Sequence, residues 1–275
     1  MVTVLRPLSI SELLDRTFHL YRNNFLVFVG IMAIPQLLVL ALQLTRAVTL
    51  TTGPLQRFSP IAVLAGLASY VAIEISAAAT VIAVSNIHLD RPVSLGSAFS
   101  SAKGSMLRVV LITLAVGIAA GIGLIFLIVP GVYLWLMWSV AIPVTVLEGG
   151  GLNASTKRSK ELTQGSRGRI FVIYLLIIVL AMVVGMIFQV PLGILAVLLG
   201  RGNAGGAVAL IVAVSAVGSF ISTSLVGPLA TIALTLIYYD QRVRKEGFDL
   251  QLMMSTLEGG GQAAAVSLPS TSAGM

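Results

Sequence analysis

From Ile170 to Leu199 the chain carries no charged residue. A helix crosses a hydrocarbon core of roughly 30 Å in about 20 apolar residues, so this run alone is long enough to span a bilayer. Five more such runs follow from the same reading. The first extends from Phe25 to Leu44, the second from Ile61 to Ile87, the third from Met106 to Val129 and the fourth from Val132 to Leu147; the sixth closes at Tyr239. The chain is 57% hydrophobic and 10% charged, whereas soluble domains carry roughly 25% charged residues. A soluble fold of 275 residues could not hide that much apolar surface, so its solvent must be largely lipid. The expected fold is all-α, a polytopic bundle of six transmembrane helices forming one membrane domain over residues 1–249. A disordered Gln-, Gly-, Ala- and Ser-rich tail is expected over 250–275.

The fifth and sixth runs exceed what one crossing needs. Tilt, a kink at Pro191 or Pro228, or a short re-entrant piece would each absorb the excess. Pro130-Gly131 sits between the third and fourth runs, which must therefore form an antiparallel hairpin. No small-residue cleavage site follows the first run, so no cleavable signal peptide is expected.

Three amphipathic segments lie between the spans. Ser9-Ile-Ser-Glu12 has capping-box spacing, and Ile10, Leu13, Leu14, Phe18 and Tyr21 behind it share one helical face. Pro92-Val-Ser94 opens a second segment, and Asn153 to Gln164 forms a third. Each reads as a helix lying in the membrane interface. Lys103-Gly-Ser-Met-Leu-Arg108 compares with Gln164-Gly-Ser-Arg-Gly-Arg169, a cap glycine and a basic residue before an apolar run. Arg22-Asn-Asn-Phe25 occupies the same place before the first span. Each unit ends in an acid: Asp90, Glu148, Asp240. The pattern suggests a threefold repeat of interfacial helix plus transmembrane hairpin.

Of the 17 Lys and Arg residues, all but Arg46, Arg57 and Arg201 fall on the side that holds both termini. The positive-inside rule then places the termini in the cytoplasm of an inner (plasma) membrane protein. The net charge of +7 is thus spread over juxtamembrane segments and does not mark a nucleic-acid surface. Anionic lipid headgroups are the expected partner, with Arg167, Arg169, Arg242, Arg244 and Lys245 as contact candidates for headgroups or for a membrane or cytosolic protein. Within the last helix, Asp240 pairs with Arg244 and Arg242 with Glu246 at i,i+4, and Gly247 is the expected cap.

Glu74 is the only acid inside an expected span, and intramembrane ionisable groups are functional candidates by default. Gln36 lies eleven residues from Phe25 and Glu74 thirteen from Ile87, so at about 1.5 Å per residue both reach the midplane. Glu74 is expected to face the bundle interior and to hydrogen-bond Gln36 or a carbonyl freed near Pro35. Two roles stay open for it, a satisfied structural polar residue or a proton or cation relay. Pro35 and Pro228 both break hydrogen bonds mid-span, as kinks or as broken helices of a substrate site. Gly117 and Gly121, with Gly123, make a small-residue face, for a neighbouring span or for a homodimer.

No catalytic set, cofactor site or metal site is expected. Cysteine is absent, His19 and His88 lack companions at ligand spacing, no Gly-x-Ser-x-Gly elbow occurs, and Gly149-Gly-Gly151 is a hinge without the Gly-Lys-Ser/Thr of a phosphate loop.

Ser9-Ile-Ser-Glu-Leu-Leu-Asp-Arg-Thr-Phe-His-Leu-Tyr-Arg-Asn-Asn-Phe25 resembles the opening of the bacterial glycerophosphoryl diester phosphodiesterase membrane-domain family. Pro130-Gly-Val-Tyr-Leu-Trp135, Leu147-Glu148-Gly149, Arg158-Ser159 and Glu161-Leu162-Thr163-Gln164-Gly165 resemble later segments. Leu236-Ile-Tyr-Tyr-Asp240-Gln-Arg242-Val-Arg-Lys-Glu-Gly-Phe248-Asp249 is similar to its closing signature, the most specific of these. The likeness spans about residues 5 to 250. Ser155 and Lys160 depart from it, standing where the family tends to be apolar or aromatic. Some members carry a phosphodiesterase barrel after the membrane part; the stretch to Met275 has no room for one, so the resemblance implies a stand-alone, non-enzymatic domain. Two functions follow as expectations: a membrane scaffold contacting anionic headgroups, or a small transporter or lipid-handling protein built around Glu74.

Overall fold

The computed structural model describes residues 8–49, 60–89, 91–199 and 204–247. The expectations for Arg6, Arg57, Asp90, Arg201 and the tail from Leu250 lie outside them. Among the described residues the chain is all-helical: α1 (Ile10–Asn23), α2 (Phe25–Thr49), α3 (Pro60–His88), α4 (Leu95–Phe126), α5 (Ile128–Met137), α6 (Ala141–Glu148), α7 (Leu152–Thr163), α8 (Arg167–Leu199) and α9 (Ala204–Glu246). Six segments are long and apolar enough to cross a membrane, with α5 and α6 together making the fourth. The protein is a polytopic α-helical membrane protein.

Its surface shows the same inversion. Leu26, Ile125, Phe126, Val129 and Ile187 stand exposed, far more contiguous apolar surface than a water-soluble monomer presents. The core between the helices is built from small and medium residues. Ala78, Ala79 and Ala83 of α3, Ala98 and Ala102 of α4 and Ile232, Ile237 and Tyr238 of α9 belong to one buried cluster. Small side chains let helix backbones approach closely where lipid supplies no hydrophobic drive between helices.

Local rules set several helix ends. Ser9 caps α1 as expected: its hydroxyl accepts from the Glu12 N–H, and the Glu12 carboxylate accepts from the Ser9 N–H. Gly149, Gly165 and Gly247 all have positive φ, the left-handed turn that glycine adopts after a helix. The long fifth and sixth runs are absorbed by helix length, because α8 and α9 continue through Pro191 and Pro228.

Two local expectations fail. Lys103-Gly104 does not end a helix; the second amphipathic segment and the third span are one continuous helix, α4. A glycine inside a helix costs only about 1 kcal/mol, and buried Ala98, Ala102, Ser105 and Val109 carry one packed face straight through it. The second unit of the expected repeat therefore differs from the first and third, where breaks at Asn24 and at 164–166 separate the two helices. The hairpin turn also falls earlier than Pro130, at extended Leu127. Pro130 lies in the first turn of α5, where its missing N–H costs nothing.

That hairpin is closed by glycine. A Cβ on Gly131 would sit 2.5 Å from the Leu124 backbone nitrogen, and one on Gly123 would sit 2.9 Å from Gly131 Cα. Added Cβ atoms on Gly117 and Gly121 meet nothing within 4 Å, so among the described residues neither makes the expected close contact with a neighbouring span.

The fourth span breaks at Trp138–Val140. There the Ala141 N–H bonds the Trp138 carbonyl, which leaves the Met137 carbonyl without its usual helical donor. Ser159 and Thr163 of α7 supply donors instead, each at 3.1 Å. The break thus fixes where α7 docks.

Candidate functional site

Two polar regions stand out, one at an end of the bundle and one inside it. The first gathers around Asp240, only 3% exposed. Its carboxylate accepts from Arg169 at 2.7 Å and from Arg244 at 2.9 Å. The Leu8 N–H donates to its other oxygen at 2.8 Å, and the Leu8 carbonyl accepts from both Arg169 and Arg244. A buried acid needs such compensation, since an unpaired charge out of water is strongly destabilising. Leu8 and α9 therefore meet at the same end of the bundle.

Beside it, Arg158 bridges Glu148 and Glu246. Burial pulls the Arg158 guanidinium down, but the two carboxylates outweigh it and hold its pKa above the ordinary value. Tyr238 donates to Glu148 at 2.9 Å, and Arg242 bonds Glu246 at 3.1 Å. Lys245 donates to the Glu161 and Gln164 carbonyls, closing the C-terminal end of α7. Arg167 lies over the Tyr133 ring and donates to its hydroxyl. The two i,i+4 pairs expected in α9 form. The five cations expected as headgroup contacts all bond within the protein: Arg169, Arg242 and Arg244 pair with acids of α9, while Leu8, Tyr133 of α5, and Glu161 and Gln164 at the end of α7 supply partners that α9 alone does not reveal.

The second region is the cavity at Glu74, about 280 Å³, lined by Tyr70 and Glu74 of α3, Thr113, Val116 and Gly117 of α4, Trp135, Trp138 and Ser139, Ala141 and Ile142 of α6, and Tyr174 of α8. Glu74 and Tyr70 share a face at i,i+4. Thr113 is the hydrogen-bonding neighbour of Glu74, and the Tyr70 hydroxyl lies 2.7 Å from that of Thr113. Glu74 Oε2 and Ser139 Oγ are buried without a hydrogen-bond partner. A second, apolar cavity of about 320 Å³ adjoins it, sharing Trp135 and Tyr174 and reaching Ala181, Thr223 and Gly227. The shared rings are 4.1 Å apart between centroids.

The expected Glu74–Gln36 pair does not form. Gln36 lies with Gln43, Ser69, Ser219 and Thr223 around a separate space of about 40 Å³, and its Nε2 has no partner. Ser69 and Glu74 are five residues apart on α3, which at 3.6 residues per turn puts them about 140° apart around the helix. Gln36 packs near the Ser69 face, so Glu74 turns toward α4 and α8. The arithmetic of depth carried no information about azimuth. Gln189 and Ser219, bonded at 2.8 Å, belong to the Gln36 side and were missed because neither is ionisable.

The residues from Met106 onward decide the family. The membrane-domain model of glycerophosphoryl diester phosphodiesterase matches residues 106–257. The chain belongs to this family. No curated protein and no solved structure matches it. The side chains of both ion-pair clusters fall inside the membrane-domain match, whereas α1, α2, α3 and Glu74 precede it, so the likeness of the opening residues Ser9 to Phe25 rests on their own motif. The membrane-domain family thus covers the end-of-bundle network and only one side of the Glu74 cavity. Among the described residues no group of His, Asp and Glu could hold a metal ion.

Proposed function

We propose that this chain is a multi-pass protein of the bacterial inner membrane, with both termini in the cytoplasm, acting as a non-enzymatic scaffold that contacts anionic lipid headgroups. The observation that carries this is the meeting of Leu8 with Asp240, Arg169 and Arg244 at one end of the bundle. It supports a same-side placement of the termini, and basic residues crowd that side. Exposed Arg22, Lys103, Lys157 and Lys160, which form no ion pair among the described residues, join exposed Arg244 and Lys245 as headgroup contacts. Each basic group near an anionic surface contributes about 1 kcal/mol.

The cysteine-free chain makes the test direct. Single-cysteine variants Ser11→Cys and Lys157→Cys should resist an impermeant maleimide in intact cells and react after permeabilisation. Labelling in intact cells sinks the orientation. Mass spectrometry of the intact protein should retain phosphatidylglycerol over phosphatidylcholine, a preference lost in the Lys103, Lys157, Lys160→Gln triple variant; an unchanged preference sinks the headgroup role.

A second reading, small-molecule or lipid handling at Glu74, is favoured by the cavity itself: an acid and a hydroxyl with unpartnered buried oxygens face one space of about 280 Å³, near the lower end of the range for ligand pockets.

A further inference from the structure

Glu74 forms no ion pair among the described residues, and no Lys or Arg lines its cavity. Four aromatic side chains do: Tyr70, Trp135, Trp138 and Tyr174. A carboxylate supplies a full negative charge to a cation, and aromatic faces attract one through their quadrupoles, Trp most strongly. Ring faces also accept methylated ammonium groups that present no N–H donor. The surroundings therefore select positive charge carried on carbon, over a strongly hydrated metal ion that would need several oxygen ligands. The adjoining apolar cavity begins at the same Trp135–Tyr174 pair and runs along α8 and α9 to Ala181 and Thr223. A ligand seated at Glu74 can extend an apolar tail past these rings without meeting another charge.

We propose that the Glu74 cavity binds an organic ammonium ion bearing an apolar tail, its head held by Glu74 among Tyr70, Trp135, Trp138 and Tyr174 and its tail in the adjoining cavity between α8 and α9. The proposal rests on the second reading above and names its ligand class. The ammonium group belongs either to a membrane lipid headgroup or to a free amphiphile.

The chain has two tryptophans, and both line this cavity, so intrinsic tryptophan emission reports on it alone. The protein in phosphatidylglycerol nanodiscs is titrated with octyltrimethylammonium, octyl sulfate and octyl glucoside. A saturable emission change is expected with the ammonium and with neither of the others. Glu74→Gln should weaken it by about tenfold or more, as loss of a charged partner does, and Glu74→Asp should retain part of it. Gly117→Leu, whose side chain projects into open space at the cavity wall, should abolish the change while leaving the unfolding temperature unaltered. Nanodiscs containing phosphatidylethanolamine or phosphatidylcholine separate the sources: an emission change already present before titration and absent in Glu74→Gln assigns the site to a lipid headgroup, and its absence assigns it to a free amphiphile. Saturation by octyl sulfate or octyl glucoside overturns the ammonium class while preserving a ligand site. No saturable change with any of the three, and none between lipids, overturns the ligand site as well.

Discussion

Arg169 at the start of α8 and Asp240 near the end of α9 meet at 2.7 Å across 71 residues of sequence. With Asp240 buried and Arg169 largely so, removing one partner strands the other. Asp240→Ala should destabilise the protein by about 3 kcal/mol, the cost of breaking a buried pair. Thermal unfolding in detergent measures it. A double-mutant cycle with Arg169→Ala should show strong coupling, since the two residues share Leu8 as a third partner; additive losses would contradict the shared network.

The α4–α5 hairpin gives a sharper contrast. Gly131→Ala forces a Cβ against the Leu124 backbone, which cannot swing aside as a side chain would. A loss of about 1–3 kcal/mol is expected, the range for overpacking. Gly121→Ala, on the same helix as Gly123 but facing open space, should change stability little. Equal effects at the two positions would overturn the assigned contact.

Tyr21 ties α1 to the part of α9 beside Pro228. Its hydroxyl donates to the Leu225 carbonyl at 2.6 Å, next to Ser224, whose carbonyl loses its helical donor to Pro228. Burial pushes the Tyr21 phenol up to about 12, so it keeps its proton through the working range of pH. Tyr21→Phe should cost about 1 kcal/mol, one net hydrogen bond. Hydrogen exchange around 225–229 should rise with it, and protection unchanged there would argue against the bond.

Arg158 is less costly to lose. Its side chain and both partners are about a quarter exposed, so solvent screens the pairs. Arg158→Ala should cost only about 1 kcal/mol. Arg158→Lys should recover little of it, because a point charge cannot reach Glu148 and Glu246 in the forked geometry of a guanidinium. Denaturation of the two variants side by side checks this, and full recovery by lysine would refute it.

What the sequence made legible was local. The Ser9–Glu12 capping box, the Asp240–Arg244 and Arg242–Glu246 pairs and the turns at Gly165 and Gly247 all depend on residues three or four apart, and helical geometry fixes those spacings. The start of α2 at Phe25 and the six spans follow from apolar length. The rotation of each helix about its own axis did not follow. It put Glu74 with Thr113 and not Gln36, and it brought Arg169 to Asp240. Such azimuths are set by packing against several neighbours at once, and α3, α8 and α9 are apolar around most of their circumference, so no stripe marks the inward face. The continuity of α4 through Gly104 was hidden for a related reason: packing overrode a local breaker.

The clamp around Leu8 grips main chain. Its N–H meets Asp240 and its carbonyl meets Arg169 and Arg244, so the charged part of the grip does not depend on the side chain, which packs against the core. Another apolar residue there would keep both grips, whereas proline would lose the N–H bond to Asp240. A single-residue insertion between Leu8 and Ser9 would instead force a choice between the charged grip and the cap of α1. Position 8 thus acts as a ruler for the length of the segment that reaches α1.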